Sequence, residues 1–120
     1  MKILIAEDDE MMLKTMEFKL KREGYEVILC SDGKEALEKI MTENPDLIIS
    51  DIEMPFASGL DIVNKVKVEL QLDIPIIILS ALGLEKTVLK AFELGADDFI
   101  TKPFSPNELI VRIKRLLMNK

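Results

Sequence analysis

Residues 47–55 read Leu-Ile-Ile-Ser-Asp-Ile-Glu-Met-Pro, an apolar run that stops on a carboxylate, Asp51, and soon afterwards on a proline. The polar turn Asn44-Pro45-Asp46 bounds the run on its other side, leaving a segment too short for a helix. An apolar strand of this kind has both faces covered, as in a parallel sheet with helices above and below. In open α/β sheets ligands bind just beyond the carboxyl ends of the strands, and Asp51 is expected at that edge.

Along the chain, short apolar runs alternate with segments of helical period. Residues 3–6 read as a first strand, and residues 10–22 as a helix with Met12, Leu13, Met16 and Leu20 on one face and Gly24 closing it. Residues 25–30 form a second strand. Ser31-Asp32-Gly33 then opens a helix carrying Ala36, Leu37, Ile40 and Met41 inward. After the Asp51 strand, Ser58-Gly59 precedes a third helix with Ile62, Val63, Val66 and Leu70 on its apolar face. Residues 74–79 are a fourth strand ending at Ser80, residues 85–94 a helix stopped by Gly95, and residues 99–101 a short strand before Lys102-Pro103. Ser105-Pro106-Asn107-Glu108 has the form of a capping box for a last helix whose Leu109, Ile110, Ile113, Leu116 and Leu117 face the core. Five strand-helix units with short links predict one doubly wound parallel sheet, with right-handed crossovers placing helices on both faces.

Composition narrows the possible roles. A chain of 120 residues is expected to be one domain, 1–120, with no internal linker, repeat or second module. A net charge of −6 and a sequence pI near 4.7 argue against this segment gripping nucleic acid, which calls for a basic footprint. No signal peptide or membrane span is visible, and the single cysteine, Cys30, reads as a small buried apolar residue. A cytoplasmic location is the expectation, with neither membrane nor nucleic acid as a direct partner.

The chemistry gathers where the strands end. The first strand leaves Glu7-Asp8-Asp9-Glu10, the third Asp51, the fourth Ser80 and the fifth Lys102. Side by side, these ends bring carboxylates, a hydroxyl and an ammonium to one crevice. Clustered carboxylates repel, and a hard divalent cation with oxygen ligands, most plausibly Mg2+, relieves that repulsion. A carboxylate beside such a cation and a lysine is suited to attack a phosphoryl group, making Asp51 an aspartyl phosphate held by Ser80 and Lys102. Singly, each residue has an ordinary reading: acids at a helix start favoured by the macrodipole, a strand-end serine, a surface lysine. The conjunction at four strand ends favours function.

Four motifs carry a family resemblance: the acidic pair Glu7-Asp8, the stretch 47–55 around Asp51, Ser80-Ala81, and Lys102-Pro103-Phe104. In these the chain resembles, over essentially its whole length, the receiver domain of two-component response regulators, most closely those attached to winged-helix DNA-binding outputs. The resemblance implies a five-stranded flavodoxin-like fold, with Asp51 as phosphoacceptor and Mg2+ as cofactor. It implies Asp8 and Asp51 as direct metal ligands, the backbone carbonyl of Glu53 as another, and Glu7 acting through water. It further implies Lys102 as phosphate partner, Ser80 as switch hydroxyl, Phe99 as the switching aromatic, and a cis peptide before Pro103. Asp9 and Glu10 fall outside the family's acidic pair and read as helix-start acids.

From the same resemblance, the face made by the fourth helix, fifth strand and fifth helix is the one that changes partner affinity. A weak homodimer is expected there, with Glu93, Asp97, Asp98, Glu108, Arg112 and Lys114 supplying charge, although Val88 stands where a cation facing Glu108 is usual. Glu53 and Leu82 occupy the positions that tune hydrolysis of the acyl phosphate, and bulky Leu82 is expected to shield it. The chain has no histidine, so a histidine kinase or a histidine-containing phosphotransfer protein must supply the phosphoryl group in trans. Such a protein catalyses only its own phosphorylation and dephosphorylation and is not an enzyme in the ordinary sense.

Two other readings predict different behaviour. A phosphohydrolase of the haloacid dehalogenase type also uses an aspartate nucleophile with a hydroxyl and a lysine, but there the nucleophile lies on the first strand in an Asp-x-Asp motif. A docking module independent of phosphorylation predicts no need for Mg2+ and tolerance of Asp51→Asn.

Overall fold

The computed structural model describes residues 1–81 and 84–118. Its elements are β1 (Lys2–Ala6), α1 (Glu10–Arg22), β2 (Glu26–Cys30), α2 (Gly33–Glu43), β3 (Leu47–Asp51), α3 (Gly59–Val63), β4 (Ile76–Ser80), α4 (Glu85–Leu94), β5 (Asp98–Thr101) and α5 (Pro106–Met118). The five strands pair in parallel in the order β2-β1-β3-β4-β5: the alternation of periods predicts the doubly wound parallel sheet, and the order is the flavodoxin-like one that the resemblance implies.

Strand periodicity divides the core into two layers. Leu4, Ala6, Ile48, Ile76 and Ile78 face α2, α3 and α4, where Ala36, Ile40, Ile62, Val63, Val88 and Ala91 meet them. Their neighbours Ile3, Ile5, Leu47, Ile49, Ile77 and Leu79 face α1 and α5, packing on Leu13, Met16, Leu20, Leu109, Ile110 and Ile113. Every residue of β3 and of β4 is buried, which accounts for their apolar sequences. Burial on both faces also fixes register, since a slip of one residue would exchange the two layers.

Local chemistry sets the helix ends. Asp9 caps α1 by accepting from the Met12 N–H at 3.2 Å, and Asp32 caps α2 by accepting from the Glu35 N–H at 2.8 Å. Gly95 ends α4 at φ 116°, in the left-handed region that a glycine enters without steric cost.

Four expectations need correction. The third helix does not continue as an α-helix: beyond Val63 it widens into a π-helical segment, Asn64–Glu69, in which the Leu70 N–H donates to the carbonyl of Lys65 at 2.9 Å. Leu70 is consequently only half-buried. Met41 is exposed rather than inward, because the apolar face of α2 is already filled by Ala36 and Ile40. At α5 the Ser105 hydroxyl accepts from the Asn107 and Glu108 N–H groups, but the Glu108 carboxylate turns away to Arg112 at 3.2 Å, so the capping box is half made. The reciprocal box forms instead at α3, between Ser58 and Asp61.

Candidate functional site

Strand order places the crevice. The chain leaves β1 for β2 on one side and returns across it to β3 on the other, so β1 and β3 flank the point where winding reverses. Register then brings the strand ends level: Ala6 pairs with Ser50 and with Cys30, Asp51 with Leu79, and Ser80 with Thr101. Glu7, Asp51 and Lys102 therefore emerge together at one edge.

Their side chains meet. The Lys102 ammonium lies 2.7 Å from Glu7 Oε1 and 3.1 Å from Asp51 Oδ2, bridging the two carboxylates. Glu7 is fully buried, and its other oxygen accepts from the Asp9 N–H at 3.1 Å. Asp51 is 8% exposed. Asp8 is exposed, and one carboxylate oxygen from each of Glu7, Asp8 and Asp51 lies within 4.8 Å of the others. The acidic residues that resemblance leaves out of the pair behave as helix-start acids, Asp9 as the cap of α1 and Glu10 in its first turn.

Electrostatically the hollow is short of positive charge. Burial pushes the Glu7 carboxyl up to about 7, and the Asp51 charge adds to the shift, against the lowering effect of the hydrogen bonds from Lys102 and from the Asp9 N–H. For Lys102 burial works downward, but the hydrogen bond to Glu7 and the charge of Asp51 outweigh it and hold the ammonium above its ordinary value. One lysine cannot neutralise three carboxylates. An all-oxygen donor set with excess negative charge suits a hard cation such as Mg2+.

The other expected residues stand as follows. The Ser80 hydroxyl, on a residue 2% exposed, donates to the Ala81 carbonyl at 3.0 Å, while the Ser80 carbonyl accepts from the Lys102 N–H at 2.7 Å and ties the ends of β4 and β5 together. The Lys102–Pro103 peptide is cis. Glu53 is exposed in the loop after β3. Phe99 points outward from β5, 37% exposed and edge-on to Phe92 at 5.7 Å between ring centres. Beneath it, a cavity of about 260 Å³ runs back to Ser80 and Thr101. Leu82 lies outside the described residues. Cys30 is buried beside the site, with its thiol pushed up to about 12 by desolvation and by the charge of Glu35, which makes it a packing residue.

Sequence reasoning missed a second ionic cluster, at the opposite end of β5. Asp98, 7% exposed, accepts from Arg112 at 2.8 and 3.0 Å, from Arg115 at 2.9 Å and from the Phe99 N–H at 2.8 Å. Five of the six charges expected on a dimer face are thus engaged within the chain, as Glu108 joins Arg112, Lys114 reaches Glu23 at 3.1 Å and Asp97 pairs with Lys67 at 3.0 Å. A polar residue at the first position of an edge strand, with arginines 14 and 17 residues later on an amphipathic helix, was the available signal.

Comparison with known proteins gives the same picture. Residues 3–114 match the model of the response regulator receiver domain. The chain is 42% identical over 116 residues to the alkaline phosphatase synthesis transcriptional regulatory protein PhoP of Bacillus subtilis, covering 97% of this chain and 48% of that protein. It therefore spans about half the length of that curated relative. Among solved structures, the receiver domain of the Francisella response regulator 1452 superposes with a TM-score of 0.90 at 36% identity, covering 98% of this chain and 97% of that one. The signal receiver domain of a signal transduction histidine kinase from Syntrophus aciditrophicus does so with 0.90 at 37% identity, covering 98% and 90%. No described helix is long and apolar enough to cross a membrane. Two-component systems pair such domains with histidine kinases, and this chain belongs to the response regulator receiver domain family.

Proposed function

We propose that residues 1–120 act as a phosphorylation switch, taking a phosphoryl group onto Asp51 from a histidine kinase or a histidine phosphotransfer protein. The observation that carries this reading is the Lys102 ammonium bridging Glu7 and Asp51 at 2.7 and 3.1 Å. A buried aspartate held beside a cation, within a hollow still short of positive charge, is a nucleophile suited to an incoming anionic phosphoryl group.

In the transfer, an Asp51 carboxylate oxygen forms a bond to phosphorus while the phosphorus–nitrogen bond of the donor's phosphohistidine breaks. The imidazole departs with that electron pair and takes up a proton from water. Asp8, Asp51 and the Glu53 carbonyl would hold Mg2+, with Glu7 acting through water. When bound, Mg2+ supplies the positive charge that the phosphoryl oxygens need. Lys102 then exchanges part of its contact with Glu7 and Asp51 for a phosphate oxygen.

The Ser80 hydroxyl, satisfied by the neighbouring Ala81 carbonyl before transfer, turns to the phosphate afterwards. The cavity between Ser80 and Phe99 provides space for the Phe99 ring to move inward. That movement alters the face built from α4, β5 and α5, and a transcriptional output is the reading closest to the Bacillus relative. Leu89 and Phe92 are exposed on α4 while the charges of α5 are engaged internally, so any dimer through this face is weak and rests on apolar contact. Equal sedimentation with and without a phosphoryl mimic would count against the dimer. As a domain operating on its own side chain, it works from a cytoplasmic position.

The test is an intact mass after incubation with acetyl phosphate and Mg2+. The expected result is one added phosphoryl group on the native chain and none on Asp51→Asn. Multiple turnover of a phosphate monoester would instead favour a hydrolase.

A further inference from the structure

The loop joining β3 to α3 carries a residue that the site does not use. Phe56 is 85% exposed, the most exposed of the large apolar side chains described, and its backbone sits at φ 71°. That left-handed conformation disfavours a residue with a bulky side chain. It is enforced by a tight turn in which the Ala57 N–H donates to the Pro55 carbonyl at 2.8 Å, the rare and strained kind of three-residue turn. Glycine would serve this backbone better, and the ring gains nothing from the interior.

The turn is held on every side. The Gly59 N–H donates to the Ile52 carbonyl at 2.9 Å, and the Gly33 N–H donates to the Pro55 carbonyl at 3.3 Å. Gly33 and Gly59 admit this approach because neither has a Cβ, which would come within 1.8 Å of the Ala57 carbonyl oxygen or 2.6 Å of the Asp51 carbonyl oxygen. Ser58 and Asp61 lock the start of α3. The exposure of Phe56 is therefore that of a fixed projection. Strain at such a residue persists where the surroundings over-determine it, characteristically beside functional sites.

We infer that Phe56 is a recognition residue for the phosphodonor protein, entering an apolar pocket beside the donor's phosphohistidine. The inference rests on the proposed function. With no histidine in the chain, the donor must bring its own phosphoimidazole to Asp51, and the loop bearing Phe56 begins at that residue. An aromatic ring on a held backbone has only two side-chain torsions to order on association, the property that concentrates binding energy in few residues. A small-molecule donor has no surface for the ring to enter. The ring thus bears on protein donors alone, and the bonds formed and broken at Asp51 stay the same.

Phe56→Gly removes the ring and relieves the backbone, so this variant is expected to fold at least as stably as the native chain. The experiment compares labelling of native, Phe56→Gly and Phe56→Tyr chains by two donors with Mg2+. One is acetyl phosphate; the other is a purified, phosphorylated histidine kinase core chosen because it labels the native chain. The inference expects Phe56→Gly to lose about tenfold to a hundredfold in the second-order rate of transfer from the kinase, the size of an aromatic anchor's contribution. Labelling by acetyl phosphate should stay within about twofold, and Phe56→Tyr should restore kinase transfer. Equal kinase transfer to Phe56→Gly overturns the inference, as does an equal loss with both donors, which would mean damage to the site itself. If the native chain gains no phosphate from acetyl phosphate or from any kinase core screened, the proposed function is overturned, and the inference with it.

Discussion

Two ionic clusters stand at the ends of neighbouring elements, and their balance of charge differs. In the first, the Lys102 ammonium serves two carboxylates, Glu7 and Asp51, with a third, Asp8, at hand. In the second, two guanidinium groups and a backbone N–H serve one carboxylate, Asp98. Distances are nearly the same, 2.7 and 3.1 Å against 2.8 and 2.9 Å. The difference lies in what each would accept next. The Asp98 carboxylate is saturated and holds α5 on the edge strand; the Asp51 cluster is short of cations and open to one. Proximity of opposite charges is therefore a poor guide to function, and the unbalanced sum is the better one.

The largest effect expected from breaking this contrast is on phosphoryl uptake. Asp51→Asn should abolish labelling by acetyl phosphate while leaving the far-ultraviolet circular dichroism unchanged, whereas Asp98→Asn should be labelled like the native chain. Next in size is the response to metal. Mg2+ at a hundredfold excess over its dissociation constant should stabilise the native chain by about 2.7 kcal/mol, read from urea unfolding. Asp98→Asn should gain as much, and Asp8→Asn markedly less.

Acidity sharpens the same comparison. Burial raises the Glu7 carboxyl from 4.5 to about 7 in the folded chain, so between those values the folded state binds more protons than the unfolded one. Without metal, this group's contribution to stability is fully present below about pH 4.5 and is lost as pH rises to about 7. Urea midpoints measured across that window should fall for the native chain relative to Glu7→Gln, and parallel curves would refute the assignment. Smallest is the cost of opening the Asp98 cluster. Asp98→Asn should lose about 1–2 kcal/mol of stability, since Arg112 and Arg115 are 35% and 59% exposed in their side chains and can turn to water.

How far the sequence discloses this molecule depends on the kind of signal. The strand ends were legible because four of the five apolar runs stop on a charged or hydroxyl residue and parallel register brings those ends level. The ends of the helices at residues 10–22 and 85–94 were legible from Gly24 and Gly95, which act locally. The π-helical segment was hidden, since Ile62, Val63, Val66 and Leu70 fit an α-helical stripe equally well and only packing decides the width of the turn. The Asp98 cluster and the half-made box at Ser105 share one cause: a charged side chain has several partners within reach, and composition does not say which it chooses. The strain at Phe56 had no sequence signature, because the turn that imposes it depends on Gly33 and Gly59 from other elements.

The widened turn at residues 64–69 spends one residue more than an α-helical path between the same endpoints, yet β4 still enters the sheet level with β3. It works as slack in the chain. Deleting a single residue there would tighten the coil to ordinary pitch without dragging Ser80 from its station, so this stretch is where the polypeptide can change length while its chemistry stays in place.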